Sequence, residues 1–397
     1  LPIWLLFGLV THATLLWLGR WLLIALAIGW VALIVDAWRL GRPRELVGHP
    51  LAVSTGLHGL LAVATAATLF FAAHTVSVMN GFTDAVFASS TVTKPHDGRY
   101  NVLLMGTDSG TDRVGMRPDS INVASIDADT GKAVLIGLPR NLENVPFPKG
   151  SVMDEQFPNG FDCEGCYLNA VNTWANDHAD LFKDSEPGID ATMEAVEEIT
   201  GLELNYYALV NMKGFSKLID AVGGVTVDVR ERTAIGGIGS PIRGYIEAGT
   251  KKLTGDQALW YARSRVQNDD WSRMGRQKCV MNAMVKQLSP QKVVLNMGRI
   301  ADSSAAMLHT SIPRQDLNVF MDLALKTKSQ PISSVSLVPP VIYTGNPDYK
   351  KVRRLVSEAI ETSEGGAQAR LGAVSRNRAQ NDPTCRLKGF DKHQICA

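Results

Sequence analysis

The sequence predicts an α/β domain with a mixed central sheet and flanking helices, preceded by N-terminal transmembrane helices. Residues 1–35 carry one formally charged residue, Arg20, and residues 51–79 carry none, whereas about 20 apolar residues suffice to cross a bilayer. Beyond residue 100, short strand-like runs alternate with amphipathic helix patterns at no fixed repeat length. With 397 residues, 45% of them hydrophobic, the chain is too long for one small domain and too apolar for disorder.

Residues 1–79 are read as a transmembrane region of two to three spans. The second apolar stretch makes one span, and the first has room for two short ones turning near Gly19 and Arg20. Arg39, Arg42 and Arg44 fall in the loop near 39–50. The positive-inside rule puts that loop in the cytoplasm, so the stretch at 51–79 exits and the remainder is extracellular. A signal peptide accounts for one such stretch and not for both. Five cysteines agree with export. Pairing Cys163 with Cys166 and Cys385 with Cys396 is the simplest of several connectivities, leaving Cys279 as a buried thiol. A lone C-x-x-C is too little for a zinc site.

Residues 80–99, with their Ser, Thr, Lys, Pro and Gly, read as a linker. The domain at 100–360 opens with strands at 101–105, 121–127 and 133–138, the last two joined by the turn Asp127-Ala-Asp-Thr-Gly131. A helix at 190–199 closes at Gly201, a strand follows at 206–210, and a helix at 215–222 ends at Gly223 and Gly224. After a strand at 225–229, Thr254-Gly-Asp-Gln257 has the form of a capping box and starts a helix. Further helices are expected at 277–288 and 349–360. Residues 361–397, rich in Gly, Ala, Gln, Asn and Arg, read as a loose tail.

Three polar clusters stand at the ends of these elements. Asp108 follows the first strand, and Arg117 and Asp119 precede the second. Arg140 follows the third strand. Arg263 and Arg265, then Asp270, Arg273, Arg276 and Gln277, form the last group. Strand ends open onto loops that display binding groups. Two carboxylates suit a hard cation such as Mg²⁺, whose other positions go to phosphate oxygens and water. Arginine forks match phosphate oxygens. Arg263 and Arg265 would point to one side of an extended segment, and Arg273 and Arg276 would share a helix face. By charge and spacing alone, ordinary surface ion pairs fit the same residues. A P-loop and a G-x-S-x-G nucleophile elbow are both absent from the sequence.

Taken in order, these motifs resemble the LytR–CpsA–Psr family of exported cell-wall proteins. NVLLMGTDSG from Asn101, MRPDS from Met116 and IGLPR from Ile136 look like the family's opening block. Leu168-Asn-Ala-Val171 is similar to its short Asn-Ala element. The region from Ile189 to Val229, LTGDQALWYARSR from Leu253 and DWSRMGRQ from Asp270 look like its later signatures. The resemblance implies a membrane-anchored phosphotransferase that moves a glycopolymer from a polyprenyl-pyrophosphate carrier onto peptidoglycan. It places Asp108 and Asp119 on Mg²⁺, and Arg117, Arg140, Arg263 and Arg265 on the phosphates. Asp270 becomes a candidate base, with Asp119 as the other, and Arg273, Arg276 and Gln277 become substrate-binding. Gly110, Pro118 and Asn141 depart from the family's common Arg, small hydroxyl residue and Asp.

Two other readings use the same residues: a hydrolase of the lipid pyrophosphate, and a non-catalytic protein that binds the lipid intermediate. A net charge of +1 gives no nucleic-acid footprint, which weighs against a transcriptional regulator. Teichoic acid, capsule and arabinogalactan are all cargo the resemblance allows. The N-terminal spans and paired cysteines point toward an actinobacterial-type envelope and arabinogalactan.

Overall fold

The uncharged stretches form two long helices, α1 (Ala13–Leu40) and α2 (His49–Val86). This computed structural model describes residues 13–42, 48–88, 92–107, 117–183, 186–237, 239–266, 270–287, 308–365 and 385–386. Asp108, Gly110 and Cys396 lie outside them. Both helices are long and apolar enough to cross a membrane, and only 6% of either apolar stretch is buried in the protein, so neither is a core helix. The turn expected near Gly19 and Arg20 does not occur. One glycine costs a helix about 1 kcal/mol, too little to break one of 28 residues. Instead, Arg20 Nη1 donates to Ser77 Oγ at 3.2 Å and ties α1 to α2.

The described part of the 80–99 linker is ordered too. α2 continues to Val86 and leads into β1 (Phe87–Ala88). Arg314 donates to Asp84 and, at 2.9 Å, to Asn80 Oδ1. Thr93 N donates to the Tyr206 hydroxyl at 2.8 Å. Partners more than a hundred residues away supply order that the local composition does not.

The domain continues with β2 (Arg99–Thr107), β3 (Pro118–Asp127) and β4 (Ala133–Leu138). Thr130 N bonds Asp127 Oδ1 at 2.6 Å in the β3–β4 turn. Gly131 there has φ +73°, and a Cβ would come within 2.4 Å of Lys326 Cβ. Next come α3 (Val152–Gln156), α4 (Leu168–Asp177), α5 (Pro187–Thr200), β5 (Tyr206–Asn211) and α6 (Met212–Ala221). The chain then forms β6 (Val225–Val229), β7 (Thr233–Ile235), β8 (Gly244–Ile246) and β9 (Gly249–Leu253). α7 (Gly255–Arg263) opens on the expected reciprocal capping box of Thr254 and Gln257. α8 (Asp270–Gln287), β10 (Leu308–Pro313), α9 (Leu317–Ser329), β11 (Ile332–Ser336), α10 (Tyr349–Glu364) and β12 (Cys385–Arg386) complete the described chain.

The main sheet has the order β1-β10-β5-β2-β3-β4-β11. It is mixed, as expected: β2 is parallel to β5 and antiparallel to β3, and β4 is parallel to β11. One face buries Leu103, Met105, Ile121, Val123, Val134, Ile136 and Leu138 against α4, α5 and α10. On the other face Tyr100, Val102 and Tyr206 pack with Leu323 and Phe320 of α9. A smaller sheet, β12-β6-β9, shares a core with α6, α7 and α8.

Cys163 and Cys166 form a disulfide. Cys279 is disulfide-bonded as well, which corrects the free thiol expected there. The expected pairing of Cys385 with Cys396 rests on Cys396, which falls outside the described residues. The tail is not wholly loose either: β12 pairs with β6 and packs against α8, the helix that carries Cys279.

Candidate functional site

The ends of β2 and β4 and the start of β3 meet at one end of the sheet, because β2 and β4 run parallel to each other and antiparallel to β3. Three of the expected residues come together there. Arg140 Nη1 donates to Asp119 Oδ1 at 2.5 Å, with both side chains partly exposed. Arg117 Nη2 donates to Asn169 Oδ1 at 3.4 Å, and Asn169 N donates to Arg140 O at 3.0 Å. Asn169 is therefore a member of the cluster that the sequence reading quoted within its Asn-Ala element without assigning it a role. Asp108 falls between β2 and β3 in sequence, outside the described residues.

Two of the departures find local explanations. Pro118 is the first residue of β3, where a missing N–H is tolerated. Asn141 Nδ2 donates to Thr344 Oγ1 at 3.3 Å, so the residue braces the loop after β11.

The second group sits on α7 and α8. α7 runs helically through Arg263, so only from Ser264 onward is the segment extended, and the expected common side for Arg263 and Arg265 does not follow. The capping box and the helix-forming run after it carry the helix that far. Arg263 lies over the Trp260 ring, 5.4 Å from its centroid. Arg265 is exposed. Arg273 and Arg276 share a face, as their spacing requires, and that face is buried. Arg276 Nε donates to Tyr261 O at 2.7 Å and Nη2 donates to Ser264 O. These are carbonyls of the last turn of α7 and its cap, groups that a helix end leaves without internal partners. Gln277 is partly exposed, and Asp270 is the first residue of α8.

Lysines on α8 relate this group to the first. Lys278 Nζ donates to Val335 O at 3.2 Å and to Ser336 Oγ. Its chain lies over Gly137, where an added Cβ would come within 2.9 Å of Lys278 Cε. Lys286 Nζ reaches Lys328 O at 3.2 Å, and also Gln330 O, just before β11 begins. α8 thus runs antiparallel to β11 and β4, and its N-terminal half, with Arg273 and Asp270, points toward the sheet end from which Arg140 emerges. Arg117 and Arg140, from two different strand ends, make an arrangement suited to an anion. A cavity of about 540 Å³ lies at the opposite end of β2, lined by His96, Arg99, Asn101 and Glu203 among others, and is separate from this cluster.

The LytR_cpsA_psr family model matches residues 71–363. The polyisoprenyl-teichoic acid–peptidoglycan teichoic acid transferase TagU of Oceanobacillus iheyensis is 28% identical over 224 residues, 56% of this chain and 61% of that protein. The transferase of the same description from Bacillus subtilis, TagV, is 30% identical over 276 residues, covering 66% and 65%. The chain therefore spans less than two thirds of the length of either relative. Among solved structures, protein gbs0355 from Streptococcus agalactiae superposes with a TM-score of 0.51 at 22% identity, over 68% of this chain and 90% of that one, a likeness of fold.

Proposed function

This chain belongs to the LytR–CpsA–Psr family, and we propose that its domain after α2 transfers a glycopolymer from a polyprenyl-pyrophosphate carrier to peptidoglycan. The observation that carries the reading is the Arg117, Asp119 and Arg140 cluster at one end of the main sheet. The curated relatives' names supply the class of donor and acceptor. α1 and α2 hold the domain at the outer membrane surface, beside a substrate that stays in the lipid.

In the reaction a glycan hydroxyl of the acceptor attacks the sugar-side phosphorus. The new O–P bond forms as the bridging P–O bond breaks, and polyprenyl phosphate leaves with the bridging oxygen. The hydroxyl proton passes to a carboxylate, for which Asp270 is the candidate, since Asp119 is engaged by Arg140. Arg117, Arg140, Arg263 and Arg265 bind the phosphate oxygens and offset the charge that shifts toward the leaving phosphate. Among the described residues no group of three or more His, Cys, Asp or Glu is assembled. Asp108 and Asp119 would hold Mg²⁺, a cation that needs only one or two carboxylates from the protein. When bound, Mg²⁺ would neutralise phosphate charge.

The test uses the full chain in nanodiscs with a short-chain polyprenyl-pyrophosphate glycan, Mg²⁺ and peptidoglycan fragments. Parallel arms use teichoic acid-type and arabinogalactan-type donors. A phosphodiester-linked product, lost in Asp119→Ala and Arg140→Ala, is expected. Free sugar phosphate without transfer would identify a hydrolase, and binding without any product would identify a carrier.

A further inference from the structure

α4 begins without a side-chain cap: Tyr167 occupies the cap position and makes no capping hydrogen bond. A helix start leaves its first N–H groups without partners, and here the segment after β4 supplies them. Leu168 N donates to Leu142 O at 2.9 Å, and Asn169 N to Arg140 O at 3.0 Å. The N–H groups that elsewhere attract anions at a helix start are thus partly spent on backbone carbonyls. Asn169, only 5% exposed, then presents Oδ1 to Arg117 Nη2 at 3.4 Å. It is in contact with both arginines of the first cluster, one through its backbone and one through its side chain.

The segment leading into Asn169 is fixed at several points. Phe161 N bonds Val145 O at 2.9 Å, stitching the segment to the chain that follows Arg140. The Cys163–Cys166 disulfide closes the turn between Phe161 and α4, and Cys166 is buried in the main core. Cys166 N also bonds Cys163 O at 3.0 Å.

We infer that Asn169, held by the disulfide-closed loop at 163–166, is a positioning residue that sets the relative placement of Arg117 and Arg140. This rests on the reading that those arginines grip a pyrophosphate. The peptide of Arg140 is pinned by Asn169 while its guanidinium is pinned by Asp119. The long Arg117 contact orients that guanidinium while leaving it free to move onto a phosphate oxygen. Two forks preset in this way lose less side-chain freedom when the donor arrives.

The experiment measures transfer kinetics of the full chain in nanodiscs with the short-chain donor. Asn169→Leu keeps approximate volume and removes the acceptor. The expected result is a kcat lower by roughly 10–100-fold, with donor KM little changed and the melting temperature at the wild-type value. Asn169→Asp, which keeps an acceptor at the same place, restores most of the rate. In an Arg117→Lys background, Asn169→Leu costs little more. Replacing Cys163 and Cys166 together by Ser gives a smaller loss in the same direction. Wild-type kcat in Asn169→Leu, or an equal loss in both Arg117 backgrounds, overturns the inference. If Asn169→Leu does not fold, the Asn169→Asp rate and the paired Ser variant decide, and wild-type kcat in the Ser variant overturns the role of the loop. Full activity in Arg117→Ala would instead overturn the pyrophosphate grip itself, so the two failures are distinguishable.

Discussion

Arg276 belongs to the last motif of the family resemblance and was expected to bind substrate, yet its guanidinium holds the end of α7. Arg276→Met tests which role dominates, since Met retains most of the apolar stem and removes the donors. The residue is 4% exposed and donates to Tyr261 O and Ser264 O. A buried carbonyl left without its donor costs about 1–3 kcal/mol. Two carbonyls give about 2–6 kcal/mol, and relief from burying a cation offsets part of that. A net loss of about 2–4 kcal/mol is expected. The last turn of α7 frays with it, and that turn carries Arg263, so weaker donor binding should follow the loss of stability. Guanidinium unfolding of the full chain in detergent, followed by tryptophan fluorescence, reads the first effect, and donor titration reads the second. A variant with the wild-type unfolding midpoint and no donor binding would refute the reasoning, because Arg276 would then act on the substrate directly.

Two further outcomes are expected. Burial, and then the hydrogen bond to Glu186 Oε2 at 2.7 Å, holds the Tyr207 phenol well above the usual tyrosine range. Burial followed by the charge of Glu143 does the same for Tyr349. Their stabilisation is fully present below about pH 10, the ordinary phenol value. Above it the unfolded chain gives up protons that the folded chain keeps, so stability falls as pH rises. Tyr207→Phe should make that alkaline decline shallower by about one proton in a pH series of unfolding midpoints, and an unchanged slope would refute the assignment. For the cysteines, alkylation of the unreduced, denatured chain followed by peptide mapping should find Cys279 unmodified. An alkylated Cys279 would contradict its disulfide.

Features governed by neighbours in sequence were legible before the structure. The strands at 101–105, 121–127 and 133–138 fall within β2, β3 and β4. The turn at Asp127 to Gly131 and the capping box at Thr254 form as read, because their partners lie within a few residues. The order of the motifs was enough to indicate the family, and strand direction then brings Arg117, Asp119 and Arg140 to one end of the sheet. The long uncharged runs made α1 and α2 helices by their composition.

Other features depended on partners far along the chain. The first part of the supposed linker is helix and short strand held by Arg314, and Tyr206 fixes Thr93 beyond it. Arg276 caps α7 only because α8 packs across that helix's end. Cys279 is bonded rather than free, in a helix against which the C-terminal strand packs. Asn169 joins the arginines because the chain after β4 runs beside the start of α4. The sequence by itself determined the apolar spans, the central strands, the caps and the motif order, since each depends on side chains within a turn or two of one another. Which charged groups face a ligand and which hold the protein's own backbone was decided by the tertiary structure alone, because a guanidinium binds a phosphate oxygen or a helix carbonyl with the same chemistry, and only packing determines which one it meets.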